Sequence, residues 1–410
     1  MLSEKEKTEK KMNNIYVDIH VLQTLPPNCV NRDDTGSPKT AVYGGVTRAR
    51  VSSQAWKKAV RDQFKEALDP DAQGIRTKKI VALVKAEILK LKPKMAEEEA
   101  EELARAAIEC VGITLKKTKL SKEEAAQNNK KEEYEMDSMW LVSHQQAAAV
   151  AKIAVNHAES LLKKQKTSQK TSEEKKNEKS EGNISESLAK ALKKYPSVDM
   201  LLFGRMLAKD KSFSYDACVQ VAHAISTHAV QNEFDYFTVV DELKNDSSGA
   251  GYLGSAEFSS STLYRYATVN FSQLASTVEK HNDRIVDPSE IVVQFLKAFI
   301  RSIPSGKQNT FANNTLPGTV YITVRTDQPV SLVTAFEKAI PASKDGYEER
   351  SRKALGNKAK QIYDMLGKAP DLEILCGEEI EGFEETVSLP EAYSRIEAKL
   401  NELLKTDGEE

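Results

Sequence analysis

The hydrophobic period changes several times along this chain, and the order of the changes limits its fold more than any motif does. Ile15, Val17, Ile19 and Val21 alternate with Tyr16, Asp18 and His20, the pattern of a half-buried strand over Ile15–Leu22. A loop rich in Pro, Asn, Asp and Gly follows. The Gly44-Gly45 turn then leads into a short segment, Val46–Val51, and a helix opening at Ser52 or Ser53. Over 76–162 the period becomes helical: Ala100, Leu103, Ala104, Ala107, Ile108 and Val111 share one face, and Ser138–Leu162 reads as another helix. A short helix is expected over Ser185–Lys194. Alternation returns in Val219, Val221, His223, Ile225 and Thr227, then in Leu263–Val269 and Thr319–Thr326. Pro288–Ile303, Ser331–Ala339 and Tyr347–Leu366 read as helices. This order is α+β with a large helical insertion, and it lacks the repeated βα units of a doubly wound sheet.

Lys163–Asn183 carries no hydrophobic side chain. Such a segment cannot bury enough apolar area to offset its ordering entropy, so a disordered loop over 163–183 is expected. With hydrophobic residues at 40%, the rest of the chain can build a packed core, as one elaborated domain or two to three smaller ones. Residues 1–13, Lys/Glu-rich and without a signal-peptide apolar stretch, are expected to be a disordered extension. No run approaches the roughly 18 apolar residues of a membrane span. Cys29, Cys110, Cys218 and Cys376 lie far apart with no C-x-x-C pair, which suggests reduced thiols in a cytoplasmic protein, without disulfides or a zinc ribbon.

The net charge of −2, from 59 basic and 61 acidic residues, hides a strong asymmetry. Thr35–Arg61 holds Lys39, Arg48, Arg50, Lys57, Lys58 and Arg61 and no acid, whereas the segment from Asp371 onward is acidic and reads as a solvated helix and tail. At 100° per residue, Trp56, Ala59, Val60, Phe64 and Ala67 gather on one side of the first helix. Gln54, Lys57, Lys58, Arg61 and Lys65 fall on the other, with Asp62 off their arc. Like charges at i, i+4 repel, and Ser52-Ser53 adds free N–H groups at the helix start; Arg48 and Arg50 arrive just before it. A phosphate backbone would satisfy the whole set.

Other signals are weak. Gly249–Gly254 matches G-x-G-x-x-G but lacks the strand before and helix after of a dinucleotide site, so a hairpin tip is expected. His20, His223 and His228 stand without metal-ligand partners and read as packed histidines. Asp33-Asp34, beside the basic helix, could hold metals in a nuclease; turn chemistry is the simpler reading.

These residues carry a resemblance to the CasC family, the backbone subunit of the type I-E CRISPR Cascade surveillance complex, in the RAMP superfamily. The matching stretches run in order: Ile19-His20-Val21-Leu22, Asn31-Arg32-Asp33-Asp34, Tyr43-Gly44-Gly45, Arg50-Val51-Ser52-Ser53-Gln54, Gly204-Arg205-Met206, Ala222-His223-Ala224-Ile225, Asp235-Tyr236-Phe237-Thr238, Glu257-Phe258-Ser259-Ser260, Tyr264-Arg265-Tyr266 and Gly306-Lys307-Gln308. The resemblance implies an RRM-like (ferredoxin-like) palm from 14–65 and 198–370, helical fingers from 66–197, a β-hairpin thumb at about 230–262, and leaves 371–410 as an acidic C-terminal segment. It implies a non-enzymatic subunit, without metal or cofactor, that stacks head-to-tail along a guide RNA and kinks it at intervals. The guide then pairs with target DNA, beside other Cascade subunits and without a membrane. Arg32, Lys39, Ser52, Gln54, Lys57 and Arg61 would hold RNA backbone, with Arg205, Lys307 and Gln308 adding contacts; Met206 and Phe237 would wedge at the kink. Related type III subunits cut target RNA with an aspartate in this loop, so a metal-dependent endoribonuclease using Asp33 or Asp34 is the alternative.

Overall fold

A computed structural model describes residues 14–118, 133–167, 178–207, 211–239, 252–281, 287–383 and 385–409. The chain divides into two compact units: Met1–Glu66 with Val219–Leu274 and Asp287–Glu410, and Ala67–Cys218 with Ala275–Val286. The insertion thus runs past its expected end, and the second unit also takes in a short segment near 280.

The first unit opens with β1 (Tyr16–Asn28), β2 (Thr40–Tyr43), β3 (Val46–Val51) and α1 (Ser53–Ala67). The second holds β4 (Gly74–Thr77), α2 (Ile80–Leu91), α3 (Glu97–Cys110), β5 (Leu115–Lys117), β6 (Tyr134–Met136), β7 (Trp140–Ser143), α4 (His144–Asn156), α5 (Ala158–Thr167), α6 (Glu178–Lys193) and α7 (Val198–Phe203). The first resumes with β8 (Val219–Val221), β9 (Ala224–Ser226), β10 (Glu233–Val239), β11 (Tyr252–Asn270) and the start of α8 (Phe271–His281). It closes with α9 (Pro288–Arg301), α10 (Gln308–Phe311), β12 (Thr319–Arg325), α11 (Glu348–Leu366), β13 (Leu372–Gly377) and α12 (Leu389–Glu409).

Nine strands of the first unit form an antiparallel sheet in the order β13-β12-β1-β11-β9-β3-β2, with β8 and β10 also pairing β11. Val17, Ile19 and Val21 of β1 are fully buried on one face, each contributing about 1.5–3 kcal/mol. The other face was expected to meet solvent. Instead it is buried too, because the 330–336 segment and α11 cover it with Val330, Leu332, Phe336 and Leu355. Asp18 therefore lies inside, its Oδ1 accepting from Tyr266 Oη at 2.9 Å and its Oδ2 from the Val330 N–H at 2.8 Å. His20 is buried against Tyr264, whose hydroxyl lies 2.9 Å from its Nδ1.

Burial acts on these two groups in opposite senses. It pushes the Asp18 carboxyl up to about 6 and the His20 imidazole down to about 3. The raised Asp18 value loses stability as pH rises through 6, whereas the depressed His20 value loses it as pH falls below the free-histidine range. Between pH 5 and 7 the two trends oppose. Asp18→Asn removes the first, so the gain in stability from pH 5 to pH 7 should be larger than wild type by about 1 kcal/mol. Thermal melts at the two pH values test this; an unaltered or smaller gain sinks it.

Several expected elements differ in detail. The alternation from Val219 to Thr227 is interrupted at Ala222-His223, which separates β8 from β9. Ser331–Ala339 is only a 3₁₀ turn over Val333–Phe336. The expected Ser138–Leu162 helix begins as strand β7, and α4 starts on a capping box, in which Ser143 Oγ accepts the Gln146 N–H at 3.0 Å. The polar stretch 163–183 is helical at both ends, continuing α5 and opening α6; the rest of that expectation, like the extension 1–13, lies outside the described residues. The acidic C-terminal segment is not a mere tail: β13 joins the sheet edge, and α12 buries Ala392, Ile396 and Leu400. The second unit's own core gathers Ile80, Val84, Leu103, Ala107, Trp140, Val150 and Leu188. Among the described residues no helix is long and apolar enough to cross a membrane.

Candidate functional site

Asn31 organises the acid-free surface. Its Oδ1 accepts the Ser52 N–H at 2.9 Å and its carbonyl accepts the Lys39 N–H at 2.9 Å, which ties the β1–β2 loop to the start of α1. Within that loop Asp33 Oδ1 accepts from Thr35 Oγ1 (2.7 Å), the Thr35 N–H (3.0 Å) and the Ser37 N–H (3.0 Å). The Thr35 hydroxyl, followed by these backbone donors, holds its carboxyl below the usual carboxylate range. Asp33 is thus a turn residue, as the simpler reading expected; Asp34 is exposed beside it. Arg32 bridges to Pro38 across the loop.

A second segment reaches the same place. A Cβ on Gly306 would sit 2.4 Å from the Val30 carbonyl, so only glycine lets residues 305–308 lie against the loop. Lys307, at φ 47°, opens the short helix α10. Burial chiefly raises the Cys29 thiol, while the charges of Lys307 and Arg32 lower it and those of Glu257 and Asp33 raise it.

Helix α1 buries Trp56, Ala59, Val60 and Phe64. The Arg265 guanidinium lies 3.8 Å from the Trp56 ring centroid and donates to Gln23 Oε1, so this buried cation holds α1 against the sheet. Ser52 is a helix cap, its Oγ accepting the Ala55 N–H at 3.3 Å. Gln54 and Lys58 are exposed on the outer side; Lys57 and Arg61 are half-buried, and burial lowers the Lys57 ammonium from its ordinary value. Asp62 serves more of the basic arc than the wheel suggested, since it accepts from both Lys58 and Lys65. Burial raises its carboxyl, and the two lysines more than reverse that.

Two expected contacts are corrected. Arg48 is fully buried, and its guanidinium donates to the carbonyls of Tyr43 (3.2 Å), Ser226 (2.9 Å), Phe336 (2.9 Å) and Glu337 (3.2 Å). Alternation along β3 could not show this, because the strap carrying Phe336 and Glu337 covers that face. Arg205, in the second unit, is equally enclosed, donating to the carbonyls of Phe213, Leu141 and Leu192, and burial lowers its guanidinium to about 10. Both are scaffold residues, inaccessible to a ligand.

Arg50 remains at the surface, donating to the Thr40 carbonyl and to His223 Nδ1 at 3.1 Å. His223 is exposed at the β8–β9 break rather than packed, and its imidazole is lowered by burial of the ring, then by Arg50 and Lys39. His20 and His228 are packed as expected, His228 Nε2 accepting the Thr262 N–H at 3.1 Å.

The hairpin β10–β11 pairs Glu233 with Phe258 and Phe237 with Gly254. The Phe237 ring lies over Gly254, on the same strand face as Phe258, whose ring centroid is 5.9 Å from that of Phe311 in α10. The opposite face exposes Phe234, Tyr236 and Leu253. Sequence reasoning missed these, although aromatic residues two apart in a hairpin were the available signal. Met206 is 92% exposed, in the second unit. Tyr252–Gly254 belong to β11, and the rest of the glycine-rich tip lies outside the described residues.

Also unforeseen is a groove of about 510 Å³ between α1 and residues 301–316, lined among others by Lys58, Gln63, Arg301, Gln308, Asn314 and Leu316. No local pattern joins segments so far apart. Among the described residues no group of three or more His, Cys, Asp or Glu is placed to hold a metal, and the four cysteines are free.

The chain is similar to two solved structures. One, titled "CRISPR RNA-guided surveillance complex, pre-nicking", is 33% identical with a TM-score of 0.77, over 94% of this chain and 100% of the other. A chain of a "CRISPR RNA-guided surveillance complex" is 29% identical with a TM-score of 0.68, over 94% and 99% respectively. No curated protein matches the chain. The family described as CT1975-like protein matches residues 17–405, nearly the whole of the sequence, and this chain therefore belongs to it.

Proposed function

We infer that this chain is an RNA-binding backbone subunit of a CRISPR surveillance complex, of type I-E, in the RAMP superfamily. The observation that carries the reading is the shared surface of Arg32, Lys39, Arg50, Gln54, Lys57, Lys58, Arg61, Lys307 and Gln308. It is built by a loop, a helix and a second loop held together through Asn31 and Gly306. Its long cationic side chains and neutral amides suit phosphate and sugar, which vary little with sequence; specificity then comes from pairing between guide RNA and target DNA. Ser52 acts by capping and orienting α1.

The strands β12-β1-β11-β9, with α1 and α9 as crossovers, follow the antiparallel order of an RRM-like, ferredoxin-like palm. The second unit corresponds to fingers and the β10–β11 hairpin to a thumb, with Phe237 and Met206 as wedges at RNA kinks. Copies of the chain stack head-to-tail through a heterologous interface in the cytoplasm, beside other subunits of the complex. The role is not enzymatic: Asp33 is committed to its turn, which disfavours an endoribonuclease built on Asp33 and Asp34.

Purification from cells that express a guide array tests both readings. RNA of discrete length should co-purify with the protein; a nucleic-acid-free preparation would overturn the inference. Incubation with complementary RNA and Mg²⁺ should leave that RNA intact, and periodic cleavage lost in Asp33→Ala would establish the nuclease instead.

A further inference from the structure

The groove beside α1 is continuous with the basic surface, because Lys58 and Gln308 belong to both. Its lining is nonetheless unlike a phosphate site. Lys58 and Arg301 are matched by Asp62 and Glu66, and Lys58 is already paired with Asp62. The balance of charge favours a neutral ligand over an anion.

What the groove does offer is amides and aliphatic surface. Ala59, Ile303 and Leu316 supply apolar walls, and Gln63, Gln308 and Asn314 supply amide groups. Gln308 Nε2 donates to Asn314 Oδ1 at 3.1 Å. That pairing still leaves Gln308 Oε1 able to accept and Asn314 Nδ2 able to donate. Every nucleobase carries a donor and an acceptor on its pairing edge and apolar faces above and below it, so the groove is complementary to a base of any identity. Its volume of about 510 Å³ lies within the range of small-ligand sites, about 300–1,000 Å³.

We propose that this groove receives a single unpaired nucleobase of the bound RNA strand, held between Leu316 and Ala59 and read by the Gln308–Asn314 amide pair. The proposal rests on the RNA-binding reading above. It makes α1 two-sided in function: the Gln54, Lys57 and Arg61 side takes backbone, and the Ala59 and Gln63 side takes a base.

The full-length protein is titrated with a short single-stranded RNA and with the same RNA carrying one abasic residue at each position in turn. For wild type, one abasic position should weaken binding about tenfold, the effect of one good bidentate amide–base pair. In Leu316→Trp, which fills the groove from an exposed position, and in Asn314→Ala, which breaks the amide pair, the ratio of intact to abasic affinity should fall to about one. Because both residues are exposed, folding is not at stake, and melting curves verify it. A wild type that binds RNA without distinguishing any abasic position overturns the groove alone. So does a ratio that persists in both variants, including one where they instead weaken self-association, which would make the groove a protein contact. Absence of binding to every RNA overturns the RNA-binding reading as well.

Discussion

Glutamate at both Lys57 and Arg61 is expected to weaken single-stranded RNA binding by at least about a hundredfold near 0.1 M salt, and to flatten its salt dependence. The two side chains lie one helical turn apart on the outer side of α1, half-buried and positioned by a helix that Trp56, Val60 and Phe64 lock to the core. Each phosphate contact on a single strand contributes about 0.7 to the slope of log affinity against log salt, so losing both removes about 1.4. Repulsion by the introduced carboxylates adds to the loss. Lys58→Glu should cost less, because Lys58 already shares Asp62 with Lys65 and part of its charge is answered within the helix. Anisotropy titrations across a salt series measure both quantities. A double variant with the wild-type slope would remove this face of α1 from the RNA path.

Arg48→Met is expected to destabilise the first unit by about 4 kcal/mol without altering the salt slope of whatever protein remains folded. The guanidinium is enclosed, and it serves four backbone carbonyls from three separate segments. Truncation removes this donor from the buried Ser226 and Phe336 carbonyls, at about 1–3 kcal/mol each before relaxation, and from the part-buried Tyr43 and Glu337 carbonyls at less. The Gly44 turn would loosen with them: at φ 59° it packs so tightly on the Glu337 carbonyl that no Cβ fits. Lysine should rescue little, since one ammonium cannot span acceptors that a planar fork reaches in several directions. The apparent melting temperature should fall by about 10 °C for a unit of this size. A change under about 2 °C, or a slope that drops by about 0.7 as for a lost phosphate contact, would return Arg48 to the RNA-binding surface.

The pair of arginines shows where sequence reading succeeded and where it failed. Arg48 and Arg50 stand on one face of β3 by alternation, and both read as anion-seeking. The structure separates them: Arg50 stays at the sheet margin beside His223, while Arg48 is covered by residues 288 and 289 positions away. Arg205 repeats the lesson, because its neighbours Leu141, Leu192 and Phe213 come from three separate segments. A side chain's intrinsic character is legible locally, but its burial depends on what else arrives.

By itself the sequence determined the elements whose signal is periodic and local. The strand Ile15–Leu22, the helix opening at Ser52, the capped helix from Pro288 and the buried strand near Thr319 all follow from side-chain spacing and cap chemistry. It also determined the polarity of α1, since 100° per residue fixes which side chains share a face. Tertiary structure alone decided the rest. The second face of β1 is buried because a 3₁₀ strap and α11 cover it, the acidic C-terminal segment is anchored because α12 has a core to pack on, and a groove exists because Gly306 lets one loop touch another. Periodicity reports that a face is apolar or polar. Whether that face meets water is set by long-range contacts, whose energies no local window contains.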